Sequence, residues 1–292
     1  MSRRASQETP IEALRRALPG LPPRLQEAGR FLARHDFDAV TRSMRELAAA
    51  AGTHPATFTR LAQALGYAGW DELRDALIEL RRTAAQAPYS GRVRALGTEP
   101  AASLPAEMLA ADAAGLSHIR PAPIAEAART LHLARRIWLA GFRSCRGIAQ
   151  VLHYQLRLFR PDGVRLIGGV GPEDLDIGAL QNGDVVVLIS FAPYSRPIAL
   201  TARRAQASGC TIIALADTPD APVAEGAQHL LLFDAATGPG FFPSLTGALA
   251  TAQALAAATF ALGGEPALIR LRETEERLAA FSEYVPEKEP RT

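Results

Sequence analysis

Cysteine is nearly missing from this chain: Cys145 and Cys210 are the only two among 292 residues. Two thiols so far apart make neither a disulfide framework nor a metal-binding set, so no metal and no cofactor is expected. Long uncharged apolar runs are scarce as well. The most apolar stretch, FFPSLTGALATAQALAAATFALGG, is rich in alanine and broken by polar residues, which reads as a buried helix rather than a membrane span. The opening MSRRASQETP has two arginines with no apolar core behind them, which excludes a signal peptide. These absences point to a cytoplasmic protein with no membrane partner. Lysine is almost lacking too, since every basic residue except Lys288 is arginine.

The charge that is present is unevenly placed. Up to Arg94 there are 15 basic and 10 acidic residues, and beyond it 17 and 20. A basic front and a mildly acidic back fit nucleic acid bound at one end.

The apolar pattern also changes along the chain. Leu25, Ala28, Phe31 and Leu32 share one helical face; so do Met44, Leu47, Ala48 and Ala51; Phe58, Leu61, Ala62 and Leu65; and Leu73, Ala76, Leu77 and Leu80. This predicts an all-α domain over residues 1–82. An Ala/Gly/Pro/Ser-rich linker follows over 83–104. Beyond it, RRIWLAG, GVRLIGG, DVVVLIS, CTIIALAD and HLLLFDA are short, continuous apolar runs separated by helical stretches. Continuous runs predict strands buried on both faces, and the alternation predicts parallel pairing. The expectation for 105–285 is a three-layer α/β sandwich with a parallel five-stranded sheet, and 286–292 form a tail. Ligands of such sheets sit where the loops open at the carboxyl ends of the strands.

Two segments carry candidate sites. SMRELAAAAGTHPATFTRLAQALGY has the form of a helix-turn-helix: one helix stopping at Gly52, then another opening at Pro55 with Thr53 or His54 as its cap. Burying Phe58, Leu61 and Leu65 would turn Thr57, Thr59, Arg60 and Gln63 outward beside His54, within reach of phosphates and base edges in a major groove. The second segment, IWLAGFRSCRGIAQVL, places Arg143 in the middle of a strand-to-helix loop, where glycine is the usual residue.

The front, LPPRLQEAGRFLARH followed by SMRELAAAAGTHPATFTRLAQALGYAGWDELRDAL, resembles the N-terminal domain of the RpiR/MurR-type bacterial transcriptional regulators. The back, from Arg136 to about Gly263 with the final LIRLRETEERLAAFSEYV, resembles their sugar-isomerase-like (SIS) domain. The resemblance implies a helix-turn-helix reader of double-stranded DNA at a palindromic operator and an effector site for a small anionic sugar or sugar phosphate. It further implies a homodimer, or a tetramer built from dimers, without catalytic residues. In SIS domains of the isomerase type, which this back half resembles, the first phosphosugar loop usually reads Gly-x-Gly-x-Ser and the second resembles Ser-x-Ser-Gly-x-Thr/Ser. Here they read Gly141-Phe142-Arg143-Ser144-Cys145 and Ser190-Phe191-Ala192-Pro193-Tyr194-Ser195-Arg196. Ala192 removes a hydroxyl and Pro193 removes an N–H from the usual phosphate cradle. Arg143 and Arg196 can replace them with guanidinium forks. The implied effector residues are therefore Arg143, Ser144, Ser190, Tyr194, Ser195 and Arg196, with Ser244 opening the helix after the fifth strand.

Plainer roles stand beside these. Ser144 and Ser195 can be simple N-caps, Tyr194 can fill space, and the two arginines can form surface ion pairs. Cys145, near a helix start, sits where a thiol pKa can be lowered, although nothing adjacent marks it as a redox switch. An isomerase with an accessory helical domain is the alternative function. It needs a general base, and neither His153 nor Glu173 is placed as one by any pattern. A third possibility is that the front is a protein-interaction module.

Overall fold

The computed structural model describes residues 9–86, 102–169, 172–235, 238 and 240–281. Residues 87–101, most of the expected linker, and the expected tail at 286–292 lie outside them. The chain divides into two compact units, Met1–His118 with Ala236–Ser244, and Ile119–Ala235 with Leu245–Thr292.

The regular elements described in the first unit are all helices: α1 (Pro10–Ala17), α2 (Pro23–Arg34), α3 (Asp36–Thr41), α4 (Met44–Ala50), α5 (Pro55–Ala64), α6 (Trp70–Gln86) and α7 (Leu104–Leu116). Helices α1 and α4 open with capping boxes, Thr9 with Glu12 and Ser43 with Glu46, which satisfy amides that the first turn leaves orphaned. The expected apolar faces converge on one core, in which Leu14, Leu32, Leu47, Phe58, Leu61, Leu73 and Leu77 are almost fully enclosed. Helix α7 falls with this unit, although the sequence pattern starts the second domain at residue 105.

The second unit contains β1 (Ile137–Gly141), β2 (Val164–Leu166), β3 (Val185–Ser190), β4 (Thr211–Ala216) and β5 (His229–Leu232), all parallel, in the order β2-β1-β3-β4-β5. Its helices are α8 (Pro121–Leu133), α9 (Cys145–Phe159), α10 (Glu173–Gly178), α11 (Arg196–Ala207) and α12 (Thr246–Ala280). Every residue of β1 and β3 is buried, as continuous apolar runs require of strands covered on both faces. Trp138, Ala140, Val186, Leu188, Ile212 and Ala214 meet Ile198, Ala202 and Ala205 of α11 on one side of the sheet. Helices α8, α9 and α12 pack together and against the strands to complete three layers.

By length and composition α12 alone among the described helices passes for a membrane span. Its Gly247, Ala248, Thr251, Ala252, Leu255, Ala256 and Thr259 are buried, which fits the core helix expected from the sequence. Gly264 (φ 55°, ψ −144°) breaks its axis, and Pro266 opens the segment beyond.

At the amino edge of the sheet, Asp184 is buried and holds three elements at once. Its Oδ1 accepts from Arg136 Nε at 2.7 Å, and its Oδ2 from Trp138 Nε1 and the Gln181 amide, both at 3.0 Å.

Candidate functional site

The sheet's register determines which loops meet. Gly141 pairs with Ile189, and Ser190 pairs with Ala216, so the loops after β1, β3 and β4 leave the sheet side by side at its carboxyl edge. Two glycine-type positions shape the first loop. A Cβ on Gly141 would lie 2.4 Å from the Cys145 carbonyl oxygen, so only glycine lets α9 start this close to β1. Two residues later the chain takes a left-handed turn, with φ 55° at Arg143. Among the described residues Arg143 is the only non-glycine in that region, and its side chain is exposed. A left-handed residue with a Cβ costs on the order of 1 kcal/mol that glycine would avoid.

Ser144 and Ser195 occupy the N-cap positions of α9 and α11, yet neither hydroxyl bonds the helix amides. Their reading as simple N-caps is thereby weakened. The Ser144 hydroxyl turns instead to the Cys145 thiol. The first two amides of α9 are engaged locally, by the carbonyls of Phe142 at 3.1 Å and Arg143 at 3.2 Å. These two amides are therefore not free to meet a ligand. The expectation of a lowered Cys145 pKa fails: burial pushes the thiol up to about 12, with nearby Asp217 adding to the rise. Hydrogen bonds from the Phe191 backbone and Ser144 act the other way without reversing it. At a helix start, burial has won over the helix dipole.

Ser190 is buried at the end of β3, and Phe191 and Ala192 are buried after it. The Ala192–Pro193 peptide is cis. The second loop is tied down by Asp217, just past β4. Its Oδ2 accepts from the Ala192 amide at 3.1 Å and its Oδ1 from the Tyr194 hydroxyl at 2.9 Å. Burial, and then the Asp217 charge, raise the Tyr194 pKa well above the ordinary phenol range, so the hydroxyl stays protonated as a donor. Arg196 is exposed and helps line a cleft with Asp174, Pro197, Leu200 and Arg204. Ser244 belongs to the first unit. Asp217 was missed in the sequence, although its signal was there: an acidic residue ending an apolar strand run. Arg146 was missed as well; from the first turn of α9 it donates to the Gly168 carbonyl past β2, while the Gly168 amide donates to Asp176 Oδ2 at 2.8 Å.

Of the two residues weighed as a general base, only the His153 side chain is described. His153 is half-buried in α9, its pKa lowered first by burial, and it is hydrogen-bonded to the backbone of Val164 at the start of β2, away from the carboxyl-edge loops. The Glu173 side chain lies outside the described residues.

In the first unit, α4 ends at a left-handed Gly52 (φ 63°), with Gly52 N–H on the Ala49 carbonyl at 3.1 Å and Thr53 N–H on Ala48 at 2.9 Å. This is the Schellman closure that Gly52 predicted. Of the two caps considered, His54 is the one used: its Nδ1 accepts from the Ala56 amide at 3.3 Å, and Pro55 is the first helical residue of α5. Among the five residues expected to face outward, His54, Arg60 and Gln63 are exposed. Thr57 and Thr59 are only half-exposed. Thr57 is engaged by the Thr53 hydroxyl at 3.0 Å, and Thr59 donates to Met44 Sδ at 3.8 Å. The spacing argument counted one buried face; contact with α4 takes up part of a second.

Residues 130–258 match the SIS domain family, so the second unit carries a SIS domain. Among solved structures, the Vibrio vulnificus NanR protein complexed with ManNAc-6P is similar over 94% of this chain and 100% of its own, with a TM-score of 0.54 at 17% identity. The sugar isomerase domain of the RpiR transcription factor from Sphaerobacter thermophilus covers 60% of this chain and 99% of its own, with a TM-score of 0.55 at 23% identity. At these identities the likeness is one of fold. No curated protein matches the sequence.

Proposed function

We propose that this chain is a DNA-binding transcriptional regulator whose SIS domain senses a small anionic sugar metabolite. The observation that carries the sensor half is Arg143. It keeps a guanidinium at a left-handed position where glycine would relieve the backbone, on an exposed loop at the carboxyl edge of the SIS sheet. A residue retained against its own conformational preference is a mark of function. Arg143 and Arg196 would grip the anion, with Ser144, Ser190 and Ser195 as hydroxyl partners and Tyr194 held in place by Asp217. Asp217 already occupies the Ala192 amide, which favours a ligand bound through arginine and sugar hydroxyls over one cradled by backbone N–H groups. An isomerase role draws no support from His153, which bonds the backbone at the amino end of β2, away from the loops that carry Arg143 and Ser190.

The DNA half rests on α4, the Gly52 turn and α5 with exposed His54, Arg60 and Gln63. Thr57 and Thr59 would contribute from the rim of the helix, where their hydroxyls can exchange internal partners for phosphate. SIS domains paired in a cytoplasmic homodimer, or in a tetramer of two such dimers, would present two α5 helices to a palindromic operator. The effector would shift DNA affinity only as far as it binds one arrangement better than the other.

Two measurements test this. Thermal shift against sugar phosphates, sugar acids and unphosphorylated sugars should return an anionic hit, since a ligand at a hundred times its dissociation constant stabilises the fold by about 2.7 kcal/mol. Arg143→Gly should leave the ligand-free melting temperature unchanged or slightly raised and cancel that hit; an undiminished hit removes Arg143 from the site. In electrophoretic shifts on the region upstream of its own gene, Arg60→Ala should weaken binding at least tenfold and reduce the salt slope by about 1. Unchanged DNA binding in Arg60→Ala, or loss of the anion response along with it, would sink the division of roles.

A further inference from the structure

One cluster in the first unit takes part in neither proposed site. His35 stands at the corner between α2 and α3, Asp38 in the first turn of α3, and His118 just beyond α7. Each offers one ligand atom, and the three atoms lie within 4.8 Å of one another. The rings are held in fixed planes. Phe31 stacks on His35 with centroids 4.3 Å apart, Phe37 on His118 at 5.5 Å, and the two imidazoles meet edge to face at 5.8 Å. Asp38 and His118 are buried, while about a third of the His35 side chain is exposed.

The gap between the donors is informative. His35 Nδ1 is 3.6 Å from Asp38 Oδ2, too far for a hydrogen bond, and the enclosed Nδ1 has no hydrogen-bond partner. A tetrahedral ion with bonds of about 2.0–2.1 Å holds its donors roughly 3.4 Å apart, close to this separation. The other carboxylate oxygen, Oδ1, faces Arg42 Nε at 2.9 Å. An outer partner of that kind fixes a coordinating carboxylate's orientation.

We infer that His35, Asp38 and His118 form a binding site for a divalent transition metal ion of the zinc type, with its fourth position open toward solvent beside His35. Two imidazoles and one carboxylate suit zinc, cobalt or nickel, whereas magnesium and calcium require more oxygen donors. The positive charges of Arg42 and Arg34, which also face His35, set the affinity below that of a purely anionic site. The placement gives the ion a structural consequence. His118 is the last residue of the first unit before Ile119 opens the second. Occupancy would fasten that exit point to the α2–α3 corner, so the metal would control where the chain leaves the helical unit. This inference does not depend on the sensor or the DNA reading.

The test is a titration of the full-length, chelator-treated protein with Co²⁺, read by visible absorption. One equivalent per chain should give the intense band of a four-coordinate site, and Zn²⁺ should displace it. His118→Gln should weaken Co²⁺ at least tenfold while keeping the metal-free melting temperature. A second readout needs no variant: Zn²⁺ should shift the ring-proton resonances of two of the six histidines. A wild-type protein without the band, a band of full strength in both His35→Gln and His118→Gln, or resonances of other histidines moving instead would each overturn the site.

Discussion

Asp184→Ala should destabilise the second unit by about 3–5 kcal/mol, the usual cost of removing one partner from a buried ion pair. For a unit of this size that lowers the melting temperature on the order of 10 °C. The carboxylate is buried, and its loss would strand the Trp138 indole N–H and the Gln181 amide and leave the Arg136 guanidinium with only its bond to Gln181 Oε1 and solvent. Burial is the largest influence on its pKa and opposes the charge. Together, the hydrogen bonds from Arg136, Gln181 and Trp138 and the Arg136 charge outweigh it, leaving the pKa below the ordinary carboxylate value. A carboxyl depressed in the folded state adds stability that is complete above its unfolded pKa, about 3.9, and disappears as pH falls through the folded value. The wild-type melting temperature should therefore drop steeply below about pH 4, and Asp184→Asn should flatten that limb while starting from a lower plateau. Chemical denaturation at pH 7 and pH 3 measures both effects. A loss below 1 kcal/mol would mean that water replaces the carboxylate at this edge.

What could be read directly from the sequence is what depends on neighbours along the chain. Runs such as DVVVLIS and CTIIALAD marked strands because a strand covered on both faces has no reason to alternate, and β1 and β3 are buried at every position. Gly52 and Pro55 marked the α4–α5 turn because each residue's own backbone limits select that place. The misreadings share a different cause. Thr57 and Thr59 were assigned outward by helical period alone, but Met44 and Thr53, from outside α5, occupy that face. Cys145 was judged by its position at a helix start, whereas burial between adjacent loops dominates its pKa. Asp217 joins the second loop only because β4 lies beside β3, and His118 comes beside His35 and Asp38, far away in sequence, only in the folded unit. The local pattern marks Asp217 as the end of a strand run, but the partners of both residues come from elsewhere in the fold.

The same reasoning makes Arg143 informative. Its place in a glycine-type loop could be seen in sequence, and the structure adds that the backbone there takes the glycine conformation with an arginine in it. Sequence alone leaves two readings open: a loop reshaped to suit arginine, or a glycine loop bearing arginine in spite of its geometry. The geometry is the second. That makes Arg143→Gly a clean variant, since the replacement fits the existing backbone and removes only the side chain.

Phe58→Ala should cost the first unit about 3–5 kcal/mol, comparable with the whole stability of a small helical domain. Phe58 is fully enclosed on α5, meets the Trp70 ring edge-on at 5.3 Å, and packs in the cluster of Leu32, Leu47, Leu61, Leu73 and Leu77. Alanine would leave a cavity beneath the helix proposed to read DNA, and these neighbours, close-packed on helices of the same core, can collapse into it only in part. DNA binding should therefore disappear even though Phe58 touches no DNA. The contrast with Arg60→Ala separates the causes: Arg60→Ala should lose binding with its melting curve intact, and Phe58→Ala should lose both. The cluster around Phe58 lies wholly within the first unit, and the cluster beneath α11 wholly within the second. Phe58→Ala should then lower one calorimetric transition and leave the thermal response to the anionic ligand in place, while Asp184→Ala should lower the other. If both variants move a single common transition, the two units fold as one, and the assignment of separate reader and sensor domains fails with it.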